Sequence, residues 1–127
     1  MKTLIALLLA PTCLAFPPID KVPVAQVSVL CAQWNDMPNH YAGYVAGTGS
    51  MYPRLLAGDM MLCDKAAAKV GDLVVYARAD GLRVIHEIIA IKGTRFLAQG
   101  TNNRYPDEWQ DLTQIEGVAR RVIRVNS

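Results

Sequence analysis

Short apolar runs separated by glycine, proline and polar residues fill the second half of the chain. Valine and isoleucine dominate the longest run, residues 82–91, and a second strong run covers residues 73–77. β-branched residues favour strands, and the Asp80–Gly81 pair between these runs is typical of a hairpin turn. Further strands are predicted over residues 60–63, 96–98 and 117–125, and one helical turn over residues 111–115. The pattern therefore predicts a mostly β fold with antiparallel pairing and few short helices.

The first half of the chain has a less regular pattern. Residues 16–25 are rich in proline and are predicted to be extended. Residues 26–34 fit either a strand or a short helix, because their apolar spacing does not distinguish the two. Residues 35–40 carry the aspartate, asparagine and proline that are typical of a turn. We therefore divide this part of the chain into a lead-in over residues 16–43 and a β domain over residues 44–127.

The N-terminal segment has a pattern of its own. Lys2 precedes an apolar stretch over residues 3–10, and the small residues Cys13 and Ala15 stand two apart. This combination is typical of a cleavable export signal, so residues 1–15 are predicted to send the chain to the periplasmic or extracellular side of the membrane. A short buried N-terminal element and an uncleaved membrane anchor are the alternatives. The stretch is shorter than the roughly 20 residues that a spanning helix needs.

Composition favours one domain with a hydrophobic core and argues against a nucleic-acid-binding protein. The 127 residues suit one domain, and a hydrophobic share of 52% allows a sizeable core. A charged share of 19% and a formal net charge of +2 lack the basic footprint of a nucleic-acid binder. Beyond the export signal two cysteines remain, Cys31 and Cys63, which suit one disulfide or two buried thiols. Cys-X-X-Cys and His-X-X-X-His pairs do not occur, so no metal or cofactor is predicted.

Three polar islands interrupt the apolar pattern. The segment GTGSMYP, residues 47–53, places Ser50 on a sharp turn whose glycines let another chain approach its hydroxyl. His86 lies within the β-branched run VIHEII, where an imidazole needs a hydrogen-bond partner or a function. The polar loop over residues 100–107 ends on Asp107. Each island alone is weak, but together they supply the nucleophile, base and orienting carboxylate of a serine hydrolase.

In combination these motifs resemble the type I signal peptidase family. The matching segments are, in chain order, GSMYPRLLAGDMML, KVGDLVVYAR, VIHEIIAI, FLAQGTNN with the following Asp107, and GVARRVI. The resemblance extends over roughly residues 44–124, which is most of the chain. It implies the antiparallel β domain of that family and a serine endopeptidase that works without a cofactor. The implied substrates are exported or membrane-associated proteins, cleaved after small residues at P1 and P3.

The resemblance also implies a role for each residue at a matching position. Ser50 matches the nucleophile and His86 the general base. Bacterial members have lysine at the base position, so His86 makes the chain similar to the archaeal and endoplasmic-reticulum branch. Asp107 matches the aspartate that orients the base, and the Thr48 hydroxyl with the Ser50 amide matches the pair that binds the oxyanion. The residues predicted to contact substrate are Met51, Tyr52 and Pro53.

The sequence departs from the family pattern at several points. Thr101 stands where the family usually has aspartate, which leaves Asp107 as the acidic candidate in that loop to orient His86. Glu87 follows the base where a positive residue is usual. The usual long N-terminal anchor is missing, so we expect peripheral membrane association at most. Two alternatives therefore stay open: a peptide-binding module of the same fold with lapsed catalysis, and a self-cleaving protease like the SOS repressors, which use lysine and carry a DNA-binding domain.

Other polar residues are weaker candidates. Competing bases are Lys65, Lys69, Lys92 and His40. Lys92 shares strand parity with His86 but lies about 20 Å further along the strand. A lysine base would also need burial to become neutral. Asp59 and Asp72 occur in two Gly-Asp pairs that are typical of the family, and we expect them to stabilise turns.

Overall fold

The computed structural model describes residues 16–45 and 49–126, so the predicted export signal and Thr48 lie outside the described residues. The described part contains eight strands in one sheet: β1 (Ile19–Val22), β2 (His40–Tyr44), β3 (Met60–Asp64), β4 (Leu73–Ala77), β5 (Arg83–Lys92), β6 (Arg95–Gln99), β7 (Gln110–Asp111) and β8 (Ile115–Val125). Helix α1 spans Val24–Asn35, and a single 3-10 turn spans Leu112–Gln114. This architecture confirms the predicted mostly β fold. Within these residues no helix has the length and apolar character needed to cross a membrane.

Strand β8 pairs with three other strands of the sheet. The strands follow one another in the order β2-β3-β8-β4-β5-β6-β7, and every neighbouring pair in this order is antiparallel. One edge of β8 pairs with β3, whereas its other edge is shared between β4 and β1. The β1 pairing is parallel, so the predicted antiparallel arrangement holds for all strands except the first.

Strand β4 is apolar throughout because both of its faces are covered. Successive strand residues point to opposite sides of a sheet. Leu73 and Val75 pack in one buried cluster, together with residues of the loop between β2 and β3. Val74 and Tyr76 pack in a second cluster with Phe96 of β6. This double burial explains the uninterrupted apolar run that predicts the strand.

The lead-in predicted over residues 16–43 supplies β1, α1 and most of β2, all of which lie against or within the sheet. Of the two possibilities for residues 26–34, the structure shows the helix. Helix α1 packs its buried Cys31 against Leu62 of β3, and Trp34 Nε1 donates to Cys63 O at 2.7 Å. Both described cysteines, Cys31 and Cys63, are buried free thiols.

The two Gly-Asp pairs stabilise turns, as the sequence predicts. Leu56 N–H donates to Asp59 Oδ2 at 2.9 Å, and Lys69 N–H donates to Asp72 Oδ2 at 2.7 Å. Both carboxylates are buried. Asp59 also accepts two hydrogen bonds from the Arg124 guanidinium, which fixes the turn before β3 to the end of β8.

Candidate active site

Ser50 lies on a turn in the loop between β2 and β3. Tyr52 N–H donates to Gly49 O at 3.1 Å, and Gly49 has a φ of +80°, which glycine adopts without steric strain. The backbone of Asn102 donates to Ser50 O at 2.7 Å, and the Asn102 side chain donates to Gly49 O at 3.2 Å. The polar loop after β6 therefore holds the turn that carries Ser50.

His86 lies on β5 with only 2% of its surface exposed. It is paired with Val74 of β4, so its side chain lies on the same face of the sheet as Val74 and Tyr76. Gly100 of the polar loop passes close to this ring. A methyl group on Gly100 would lie 2.9 Å from His86 Nε2 and 2.7 Å from Ser50 O. Glycine at this position therefore allows the loop, the imidazole and the serine turn to meet.

A continuous chain of hydrogen bonds joins the three predicted catalytic residues. His86 Nε2 lies 3.1 Å from Ser50 Oγ, and His86 Nδ1 lies 2.5 Å from Asp107 Oδ2. Tyr76 donates its hydroxyl to the same carboxylate oxygen. Asp107 N–H donates to Ala98 O at 2.8 Å, which fixes the end of the polar loop to β6. A carboxylate at Nδ1 favours the proton there and leaves the Nε2 lone pair free to accept the serine proton.

The serine and the imidazole open on a cavity of about 850 Å³. A cavity of this size accommodates several residues of a peptide. Its walls come from β2, the serine turn and the start of β5, and they include Gly43, Tyr44, Met51, Tyr52, Val84 and Ile85. In residues 16–45 and 49–126 no cluster of three histidine, cysteine or acidic side chains is placed to hold a metal ion.

A family model described as Peptidase S24-like matches residues 15–120. The chain belongs to the Peptidase S24-like family. No individual curated protein matches it. Membership of the S24-like family supports serine-protease-like chemistry, and it agrees with the Ser50–His86 contact that the structure shows.

In this S24-like domain the three residues predicted to contact substrate lie in different environments. Met51 is buried, and its sulfur accepts a hydrogen bond from Thr101 N–H at 3.4 Å. Tyr52 is 56% exposed and lies at the cavity wall. Pro53 is exposed and is not among the residues that line the cavity.

The residue after the base, Glu87, has a partner of its own. Arg54 Nη1 lies 2.8 Å from Glu87 Oε1, and both side chains are partly exposed. The pair neutralises the charge beside His86 and links the loop that carries Ser50 to β5. Among the competing bases, His40 Nδ1 contacts Pro38 O at 2.7 Å, and the three lysines are exposed: Lys65, Lys69 and Lys92.

Tyr76 of β4 is a site residue that was not predicted from the sequence. Its side chain is fully buried, and its ring meets Phe96 edge to face with centroids 5.0 Å apart. Burial, followed by the hydrogen bond to Asp107, raises the pKa of Tyr76 above its usual range, so the hydroxyl remains a donor. The feature of the sequence that could have indicated this residue is the tyrosine in the otherwise aliphatic run LVVYA.

Proposed function

We propose that this protein is a serine endopeptidase of the signal-peptidase type, with Ser50 as nucleophile, His86 as general base and Asp107 as the carboxylate that orients the base. The observation that carries the proposal is the hydrogen-bond chain from Ser50 Oγ through the imidazole to Asp107, at the wall of a peptide-sized cavity. Membership of the S24-like family supports the same chemistry.

The proposed reaction begins with attack of Ser50 Oγ on a substrate carbonyl carbon, while His86 Nε2 takes the hydroxyl proton. The tetrahedral intermediate collapses as His86 returns that proton to the leaving amine, and an ester to Ser50 remains. A water molecule, deprotonated by His86, then hydrolyses the ester and restores the serine hydroxyl. We assign stabilisation of the oxyanion to the Ser50 amide and the Thr48 hydroxyl, by resemblance to the family.

Free strand edges favour an extended substrate. β6 pairs with β5 only from Glu87 onward, so residues 83–86 of β5 have no described strand partner on that side. β2 ends the sheet on the other side of the cavity and pairs only with β3 among the described strands. A polypeptide added between these edges would direct alternate side chains into the cavity. P1 and P3 would then share one side, which suits a preference for small residues at both positions.

Helix α1 limits how far such a substrate extends along β2. Ala42 N–H already donates to Asn35 Oδ1 at 2.9 Å, and His40 N–H donates to Met37 O at 3.2 Å. These contacts cover the first part of the β2 edge and leave the part nearest Ser50 open. We therefore propose that the enzyme binds only a few substrate residues on the N-terminal side of the cleaved bond.

A peptide-cleavage assay tests this function. Peptides with alanine at P1 and P3 should be cut after P1 by the purified protein, and a matched peptide with leucine at P1 should be cut far more slowly. The Ser50→Ala variant is the control for contaminating proteases. Cleavage of equal rate by this variant, or no cleavage by a folded wild-type protein, would refute the proposal and favour a peptide-binding module.

Self-cleavage is the second candidate, because the S24-like match favours it as much as cleavage in trans. The two differ in kinetic order. Self-cleavage within one molecule has a half-life that is independent of protein concentration, and a Ser50→Ala chain added in excess stays intact. Cleavage of that added chain would show that the enzyme acts on separate molecules.

We also propose that the enzyme works on the exported side of the membrane, on exported or membrane-associated proteins, either free or peripherally attached. The proposal depends on residues 1–15 as an export signal. Mass spectrometry of the protein recovered from an export-competent host tests it. A mature chain that begins at Phe16 supports export, whereas an intact Met1 terminus on cytoplasmic protein contradicts it.

A further inference from the structure

Tyr76 occupies a fixed position beside the proposed base. Strand β4 pairs Val74 with His86 and Tyr76 with Val84, so Tyr76 and His86 are diagonal neighbours on one face of the sheet. Their ring centroids lie 6.4 Å apart. Because Tyr76 is fully buried and packs edge to face on Phe96, its ring has no room to turn away. The direction of its hydroxyl is therefore set by the core.

Asp107 depends on this hydroxyl for its orientation. Its backbone is held by Ala98 O, but its side chain belongs to a polar loop whose residues 104–106 are exposed. The described hydrogen bonds to the carboxylate come from two donors, Tyr76 and His86, and both go to Oδ2. Without the Tyr76 hydroxyl, His86 would be the only described hydrogen-bond donor to the carboxylate. Asp107 would then have no independent support from which to orient the imidazole.

We infer that Tyr76 is a positioning residue that holds the Asp107 carboxylate against His86 Nδ1 and thereby fixes the reactive tautomer of the imidazole. The consequence for catalysis rests on the proposed function, whereas the effect on His86 itself does not. The hydroxyl acts from the core on Oδ2, and Tyr76 itself does not line the cavity. A tyrosine that merely filled the core would do so equally well without its hydroxyl.

The Tyr76→Phe variant tests this inference because it removes the hydroxyl and keeps the ring. The chain has two histidines, so ¹⁵N-histidine labelling gives two imidazoles, and a His40→Gln background leaves His86 alone. The wild-type protein should show a low-field Nδ1–H proton resonance that exchanges slowly with water. In Tyr76→Phe this resonance should broaden into exchange, and kcat should fall roughly 10- to 100-fold with KM within about twofold.

Two further variants separate positioning from packing. Val122→Ala removes volume from the other buried cluster, which contains neither Tyr76 nor Phe96, so it should lower Tm and keep the Nδ1–H resonance. In an Asp107→Asn background, Tyr76→Phe should cause no further loss of kcat, because the two residues act as a unit.

An unchanged resonance and unchanged kcat in folded Tyr76→Phe would overturn the inference, as would fully additive losses in the double variant. If the wild-type protein cleaves nothing while the resonance still broadens in Tyr76→Phe, the proposed function fails and the positioning of His86 by Tyr76 stands. If Tyr76→Phe does not fold, the wild-type protein still decides: a slowly exchanging Tyr76 hydroxyl proton with a cross-peak to the His86 Nδ1–H proton supports the inference, and a Tyr76 hydroxyl that exchanges freely with water counts against it.

Discussion

Two carboxylates, the buried Asp59 and the largely buried Asp107, each bind a basic side chain, yet their surroundings differ. Asp59 is 2% exposed and accepts hydrogen bonds from Arg124 Nε at 3.0 Å and Nη2 at 2.7 Å. Asp107, whose side chain is 10% exposed, binds His86 Nδ1 at 2.5 Å. The first pair joins a turn to the end of β8, and the second pair lies beside the cavity.

The partner of the carboxylate decides whether such a pair can take part in proton transfer. Arginine keeps its proton throughout the ordinary pH range and has no acceptor, so the Asp59–Arg124 pair cannot pass a proton on. Histidine has a second ring nitrogen, and His86 Nε2 continues the chain to Ser50 Oγ. Burial of a carboxylate is thus common to both sites, whereas proton transfer is open to only one.

The largest expected effect comes from removing the hydroxyl that donates its proton to His86 Nε2 in that chain. Ser50→Ala should lower the cleavage rate by at least roughly 10³-fold, because no nucleophile remains. The free energy of unfolding should stay within about 1 kcal/mol of wild type, as for a change outside the core. Cleavage assays and thermal denaturation measure the two quantities. Retention of more than a tenth of the wild-type rate contradicts the assignment.

His86→Lys replaces the bridging nitrogen with an amine. We expect this variant to be mostly inactive, because an ammonium beside Asp107 stays protonated and cannot accept the serine proton. The measurement is the cleavage rate at neutral pH, with folding checked by circular dichroism. Full activity would show that the site already favours a neutral amine and would weaken the placement in the Ser/His branch.

Replacing each carboxylate by an amide should affect catalysis at Asp107 and stability at Asp59. Asp107→Asn should lower kcat roughly 10²- to 10⁴-fold, because the imidazole loses its orienting partner, while stability changes little. Asp59→Asn should instead lower the free energy of unfolding by about 2 to 4 kcal/mol, because Arg124 loses its counter-charge. Its kcat per folded molecule should stay within about threefold of wild type. Equal effects of the two variants would erase the distinction.

The smallest expected effect concerns Cys63, a buried group that stays neutral. Burial raises the pKa of Cys63 from 9.0 to about 12. Between these values the unfolded chain loses the thiol proton and the folded chain keeps it, so stability falls as pH rises from about 9 toward 12. Cys63→Ala should make this decline shallower. Urea denaturation at several alkaline pH values measures it, and an identical slope in both proteins counts against the burial effect.

Local sequence signals predict the central strands well. The apolar runs of β4 and β5 and the Asp80–Gly81 turn between them need no distant partner to be recognised. The parallel pairing of β1 with β8 was not predictable, because it joins residues about 100 positions apart. Residues 26–34 were ambiguous for a related reason: their helix is stabilised by packing on β3 rather than by a strong amphipathic pattern.

The site was predictable only where a motif marks it. Ser50, His86 and Asp107 interrupt apolar or glycine-rich segments, so their residue types stand out, and the structure brings them together. Tyr76 lies in an apolar strand, where a buried tyrosine looks like any core aromatic residue, and only its tertiary contact with Asp107 distinguishes it. The exposure of Pro53 likewise depends on how the turn lies against the sheet.

Labelling with a fluorophosphonate probe tests most directly whether His86 and Asp107 activate Ser50. The Ser50 oxygen forms a bond to phosphorus as fluoride leaves, so each active molecule gains one adduct that intact mass spectrometry detects. We expect one adduct on the Ser50 peptide of the wild-type protein, much slower labelling of Asp107→Asn and none of Ser50→Ala. Labelling of Asp107→Asn at the wild-type rate, or no adduct on Ser50 in the folded wild-type protein, would contradict this account.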